Sequence, residues 1–329
     1  MTQLSRAWAA VCFLCALALA PDCARAAEIV VTLWGTGMFG VPYAVGMEKG
    51  YFKEAGIDLT EIAGGSGGGS VLRNVMASEL PFGEVGTPAA IAAQKQGLPI
   101  IIVGSGGRSF DNSWVVLPNS KITSIKDLPG KRVSYTNPKS ISDIFLMMLL
   151  TKNGIDPHAV TKVSAGGYGP GLTLLENGGV DIAPVTEPLR TMTKDKYKAI
   201  FSAKDTLPPI ISASTITTRD FARKNPEKVR ALLEGRRRGV DFIYANPVEA
   251  GKIVAKAYQI SENVAVEAVT AMAAARQWAQ GEINMVEYTN IAEGMRLTGE
   301  LSGDVDWKAL IDTSYLPADL KSQSNVGAH

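Results

Sequence analysis

The sequence predicts an α/β fold of two lobes, with the chain crossing between them twice. Three observations carry this. Short β-branched runs alternate with helix-length segments, the pattern of βα units and largely parallel sheets. That series is interrupted near Trp114 by a second one and taken up again at Ile210–Ile216. Strand ends repeatedly carry glycine beside small hydroxyls, the loop chemistry of ligand-binding edges in open α/β sheets.

Taken in order, Ile29–Leu33 is a short β-branched strand that ends at Trp34-Gly35-Thr36-Gly37, and a helix is expected from Val41 to Lys49, closed by Gly50. Ile57–Ile62 alternates apolar and polar residues as a strand does. The glycine-rich stretch 64–70 follows, then an amphipathic helix Val71–Ala77, a strand Pro81–Val85, a small-residue helix Ala89–Lys95 and a strand Ile100–Val103. Trp114–Leu117 is expected to cross into the second lobe, built from strand Arg132–Tyr135, helix Ser140–Lys152, strand Val160–Ser164, helix Leu172–Asn177 and strand Asp181–Val185. Ile210–Ile216 returns to the first lobe. The remainder reads as helical, with Asn225-Pro226-Glu227 and Asn246-Pro247-Val248-Glu249 as start signals in which asparagine is the N-cap. The run Arg236-Arg237-Arg238 inside the first of these helices reads as a solvated face. The expected organisation is a targeting segment 1–26, a first lobe 27–110, a second lobe 111–208, and a return to the first lobe over 209–329.

The first 26 residues have the form of an export signal: Arg6, the apolar run Ala9–Ala20, then Ala24-Arg25-Ala26 as a small-x-small cleavage pattern before Ala27. The apolar run is shorter than the roughly 20 residues a membrane span needs. Cleavage before Ala27 would remove Cys12, Cys15 and Cys23, so the exported chain would be cysteine-free, which excludes thiolate nucleophiles and zinc–thiolate sites. No cysteine follows a lipobox, so free secretion is expected. With 33 Lys+Arg against 32 Asp+Glu, no basic excess exists to neutralise a phosphate backbone, and nucleic acid is not an expected partner. The two histidines, His158 and His329, leave little room for His-dependent catalysis or a His-rich metal site.

Candidate ligand contacts are Trp34, Gly35, Thr36, Gly65, Ser66, Gly67, Thr87, Asn137, Ser140, Ser142, Tyr168 and Glu187, each at or near a predicted strand end preceding a helix. Glycine lets backbone N–H groups approach a ligand, and the helix N-termini favour its anionic groups. Gly65-Ser66-Gly67 with Glu84 further on superficially resembles a dinucleotide fingerprint, but Ser70 stands where the third glycine belongs and the motif follows the second strand, so no cofactor is expected. Ser140 and Asp143 fit a capping box, and the same turn could hold an oxyanion, which Asp143 would weaken by repulsion. Glu187 at its strand end could accept a hydrogen bond from an amine or heterocycle N–H, or be a loop acid. Of Trp34, Phe39, Tyr43, Phe110, Trp114 and Tyr168, about half are expected in the core. No arginine is assigned to the site; Arg73, Arg108 and Arg190 are nearest by position. The ligand expected from this set is an organic molecule with an apolar body and both donor and acceptor groups, in preference to an inorganic anion.

The stretch Pro42-Tyr43-Ala44-Val45-Gly46-Met47-Glu48-Lys49-Gly50-Tyr51-Phe52-Lys53-Glu54-Ala55-Gly56-Ile57-Asp58-Leu59 is similar to a signature of the periplasmic solute-binding proteins of ABC importers of the nitrate, sulfonate, taurine and thiamine-precursor type. Met76–Gly83, Ile125–Val133, Leu175–Ala183, Glu187-Pro188 and Asn225–Val229 resemble further family motifs in the family's order, across nearly the whole exported chain. The resemblance implies a two-lobed periplasmic-binding-protein fold, type II-like, with two hinge crossings and a ligand cleft between the lobes. It also implies delivery of the ligand to an inner-membrane permease driven by a cytoplasmic ATPase; the expected protein is periplasmic, monomeric and non-enzymatic, and takes a small organic ligand. The pyrimidine-synthase branch looks dependent on a cysteine- and histidine-rich motif; the exported chain has no cysteine and one internal histidine, and on that ground the branch is expected to be excluded. Two alternatives stand beside this one: an exported enzyme on the same fold with Glu187 or Asp143 as general base, and a sensory protein presenting ligand to a receptor.

Overall fold

The computed structural model describes residues 27–65, 67–108, 112–138 and 140–326. The export segment and its cleavage site, Ser66 and Phe110 lie outside these. The first sheet has the order β2-β1-β3-β10-β4, with β1 Ala27–Thr32, β2 Leu59–Gly65, β3 Phe82–Gly86, β4 Ile100–Arg108 and β10 Ile211–Thr218. Ile29, Val30 and Val31 of β1 are fully buried, as expected of a central strand covered on both faces. β1 runs parallel to β2 and β3. β10 enters between β3 and β4 and is antiparallel to both, so the expectation of largely parallel pairing is corrected to a mixed sheet. The strand returns from the other lobe and enters the sheet from its opposite end.

Between β4 and β10 the chain builds a second body. β5 Ser113–Val116 lies between β8 Ala183–Val185 and β9 Lys198–Ser202, antiparallel to each. β6 Arg132–Tyr135 pairs parallel with β7 Thr161–Ser164, and Val133 bridges to Ile182. β9 was not foreseen: Lys-Ala-Ile-Phe-Ser is a short edge strand whose residues are half-exposed or exposed, with no alternating signal. Arg132 also pairs with Asp181, Nη2 to Oδ1 at 2.7 Å, and the guanidinium holds this carboxyl below the usual carboxylate range. A depressed carboxyl stabilises the fold above its unfolded value and ceases to do so as pH falls through the folded one. The stability it adds is therefore expected to be lost only below about pH 4, the ordinary aspartate range. Comparing acid unfolding of Arg132→Gln with wild type checks this; identical acid limbs would refute it.

The helices of eight residues or more are α1 Val41–Glu48, α2 Gly68–Ala77, α3 Thr87–Lys95, α4 Ile141–Lys152, α5 Tyr168–Glu176, α6 Pro226–Ala245, α7 Pro247–Tyr258, α8 Glu262–Ala274 and α9 Met285–Leu297. α6 and α7 begin at their predicted prolines, but neither asparagine caps through its side chain. Asn225 instead donates its Nδ2 back to the carbonyl of Phe221, closing the preceding short helix. α9 packs on α4 of the second body so closely that a Cβ at Gly294 would lie 2.5 Å from Ile144 Cγ2 and 2.7 Å from Met148 Sδ. One apolar cluster accordingly runs from Ile29 and Val103 through Ile291 and Met295 to Phe145 and Leu149.

The basic run on α6 is not a uniformly solvated face. Arg237 and Arg238 make ion pairs with Asp319 and Glu54. Arg236 is 1% exposed, with Nε 2.8 Å from Glu84 Oε2, and its two terminal nitrogens donate to the carbonyls of Ala279 and Gly106. The apolar stripe Val229, Leu232, Leu233, Val240, Ile243 passes through position 236 at helical spacing, which turns this one arginine inward.

Candidate functional site

The expected contacts fall into two groups of strand-end loops. In the first lobe, β1 ends in a tight turn in which Thr36 and Gly37 donate their N–H groups to Leu33 O at 3.0 and 2.7 Å. Leu33 at φ 55° and Gly35 at φ 78° both occupy the left-handed region, which costs a non-glycine residue on the order of 1 kcal/mol or more and clusters at functional sites. The turn is tied to its neighbour by Leu33 N–H donating to Gly65 O at 2.9 Å. It presents Trp34 half-buried, edge-on to the Tyr258 ring at 5.0 Å, and leaves Thr36 exposed. Gly67 precedes α2 at the adjacent strand end. Thr87 is different: it is fully buried, its hydroxyl 2.8 Å from Ser214 Oγ, which in turn meets Tyr288 Oη. The expectation that its hydroxyl serves a ligand is corrected to a core hydrogen bond, because β10 slots in beside β3 and supplies a partner.

In the second lobe, the hydroxyls of Thr136, Ser140 and Ser142 form a triangle of 2.9–3.0 Å at the start of α4, with Asn137 exposed beside it. Ser140 Oγ accepts from Asp143 N–H at 3.3 Å, so the predicted cap is present. The Asp143 carboxylate pairs with Lys162 Nζ at 2.8 Å. Ser140→Ala is expected to lower stability by about 1 kcal/mol, the usual worth of a cap, measured by urea unfolding; no change would mean the helix start is held by other contacts. Tyr168, in the first turn of α5, donates its hydroxyl to Asn112 Oδ1 at 3.0 Å, reaching the crossing segment.

Glu187 follows β8 on a cis peptide to Pro188 and is 1% exposed. Its Oε1 accepts from Arg190 Nη1 at 2.8 Å and its Oε2 from Thr191 N–H at 3.1 Å. It is therefore not a free loop acid. Both acids expected to repel an anion, Asp143 and Glu187, carry a cation at contact distance. Glu187 and Arg190 line a cavity of about 380 Å³ together with Ser113, Phe201, Met272 and Gln277. Of the three arginines considered, Arg108 is held by Glu282 and Glu287 and Arg73 is exposed on α2; Arg190 is the one at the cavity.

Of the six aromatics singled out, Tyr43 and Trp114 are core, whereas Trp34, Phe39 and Tyr168 are partly exposed. Phe201 was missed because it rides on the unforeseen β9; its ring lies 5.1 Å from that of Trp114. Met272 and Gln277, at and beyond the end of α8, carry no signal in the sequence that would place them at a cavity.

A family model described as NMT1/THI5 like matches residues 40–250. A curated relative, the 4-amino-5-hydroxymethyl-2-methylpyrimidine phosphate synthase THI12 of Saccharomyces cerevisiae, is 26% identical over 234 residues, covering 67% of each chain. Among solved structures, the periplasmic aliphatic sulphonate binding protein SsuA of Escherichia coli superposes with a TM-score of 0.73 at 15% identity, over 87% of this chain and 92% of that one. The periplasmic nitrate-binding protein NrtA of Synechocystis PCC 6803 gives 0.66 at 13% identity, over 91% of each. Both likenesses are of fold: two lobes of mixed α/β structure.

Proposed function

Because this chain belongs to the NMT1/THI5-like family, we propose that it is the solute-binding component of an ABC importer, exported to the periplasm, which holds a small organic ligand between its lobes and hands it to a membrane permease. The lobes would be 27–110 with 209–329, and 111–208. The observation that carries the reading is the meeting, at Glu187 and Arg190, of a strand-end loop with a cavity whose other walls are Phe201 of the same lobe and Met272 of α8. The remaining contacts would come from Trp34, Gly35, Thr36, Gly65, Ser66 and Gly67 on one side and Asn137, Ser140, Ser142 and Tyr168 on the other. Closure of the lobes about the ligand is the hinge motion such folds use.

The second reading, an enzyme, is favoured by the name of the yeast relative. Against it, residues 27–329 contain no cysteine, and His158, the internal histidine, is exposed on a short turn whose backbone N–H at 158 donates to Asp156 Oδ1. Asp143 and Glu187, the two general bases considered, are each in an ion pair. The test is to denature protein purified from the periplasm and identify the released small molecule by mass spectrometry, then incubate it with fresh protein. One equivalent recovered unchanged is the expected result. Chemical conversion of the molecule would overturn the transport reading in favour of the enzyme.

A further inference from the structure

The Glu187–Arg190 pair is asymmetric in a way that bears on what the cavity takes. The Glu187 side chain is 1% exposed and the Arg190 side chain 44%. Both carboxylate oxygens are engaged, one by Arg190 Nη1 and the other by the Thr191 N–H, so the acid is sunk in the wall and its hydrogen bonds run back into the protein. Arg190 uses one of the five donors of its planar fork, and its other nitrogens have no partner among the described residues. Its neighbour one turn on, Lys194, is committed to Glu267 of α8 by two contacts of 2.6 Å across the seam between the walls. The other charged residues at the cavity are Lys204, which is exposed, and Asp205, whose Oδ2 accepts from the Ser202 hydroxyl at 2.5 Å. Beside this polar end lie Phe201, backed by the buried Trp114, and Met272.

From this geometry we infer that the cavity takes a small organic acid, its planar carboxylate on the free edge of the Arg190 guanidinium and its apolar or aromatic body against Phe201 and Met272. Glu187 is then a positioning residue that aims the guanidinium and does not touch the ligand. The fork of arginine matches a carboxylate with two parallel hydrogen bonds, which the point charge of a lysine does not reproduce. This assignment rests on the ligand-binding reading above and reverses the expectation that Glu187 receives an amine.

Benzoate, benzamide and benzylamine, matched in ring and size, are suitable probes for calorimetry on the exported chain. Benzoate is expected to bind and the other two not. Arg190→Gln is expected to weaken benzoate at least about tenfold, the loss of hydrogen bonds to a charged partner. Arg190→Lys should fail to restore binding. Glu187→Gln should leave benzoate binding measurable but weaker, and should gain no affinity for benzamide. Arg190→Gln leaves the buried Glu187 carboxylate without its cation and is expected to lower the urea midpoint. Binding is therefore read where circular dichroism shows the variant folded. Arg190→Gln combined with Glu187→Gln, which removes the stranded charge, should recover stability but not benzoate binding, which separates lost binding from lost fold. Benzylamine binding that Glu187→Gln abolishes would overturn the inference, as would benzoate binding indifferent to Arg190, or no response to any probe. A cationic solute recovered unchanged from the periplasmic protein would also overturn it and leave the solute-binding reading standing. An acid that the protein converts, in an Arg190-dependent way, would do the reverse.

Discussion

Replacing Arg236 by alanine is expected to lower the stability of this protein by about 3–5 kcal/mol, the usual cost of removing one partner of a buried ion pair. The mutation deletes the contact to Glu84 and orphans the carbonyls of Gly106 and Ala279 in the same step. Glu84 is fully buried on the central strand β3 and would be left as an uncompensated charge. Burial already pushes its carboxyl upward and the guanidinium draws it back. In the variant only the lesser pull of the Tyr43 hydroxyl still opposes burial, so the folded pKa, already raised, moves further above the unfolded one. A raised carboxyl is destabilising above its folded pKa, and the penalty fades as pH falls toward the unfolded value. The deficit of Arg236→Ala should accordingly shrink between pH 7 and pH 5. Adding Glu84→Gln should recover part of the loss, since it removes the stranded charge. Urea unfolding of the single and double variants at the two pH values measures all three effects. A single-variant loss under 1 kcal/mol would show that the pair is dispensable.

The inward arginine also marks where the sequence could and could not be read. Three consecutive arginines look alike in composition, yet the helical stripe Val229–Leu232–Leu233–Val240–Ile243 runs through one of them, so the signal was periodicity and not charge. The lobes and the strand-end loops were legible because buried strands need β-branched runs and βα turns need glycine, both local demands. Thr87, Arg190 and Phe201 were not, because the role of each depends on a partner distant in the chain. Ser214 arrives on β10 to claim the Thr87 hydroxyl. Arg190 meets a cavity whose far wall is the end of α8. Phe201 sits on an edge strand too short and too exposed to leave a pattern. The cap at Ser140 was foreseen and is present, whereas the cap assigned to Asn225 failed because that side chain finds Phe221 O within its own preceding turn.

Gly239→Ala should be a strongly damaging one-methyl change in the packing of the first lobe. By helix propensity alone the substitution inside α6 would gain up to about 1 kcal/mol. Sterics oppose it: an ideal Cβ at 239 would lie 2.1 Å from the carbonyl oxygen of Pro42, a backbone atom at the start of α1 that no rotamer change can move. One turn earlier, a Cβ at Gly235 would lie 2.3 Å from Phe52 Cδ1, so α6 meets α1 and the residues after it along a face of two glycines four apart. Overpacking a core typically costs about 1–3 kcal/mol, and a backbone neighbour puts this case at the upper end, so repulsion wins and a net loss of about 2 kcal/mol is expected. The control is Gly169→Ala in the first turn of α5, where a Cβ meets nothing within 4 Å and only the entropic gain of a few tenths to about 1 kcal/mol should appear. Urea midpoints moving in opposite directions for the two variants would establish the close approach of α6 to α1. A stabilised Gly239→Ala would mean that the two helices stand further apart in solution than a backbone contact of this kind allows.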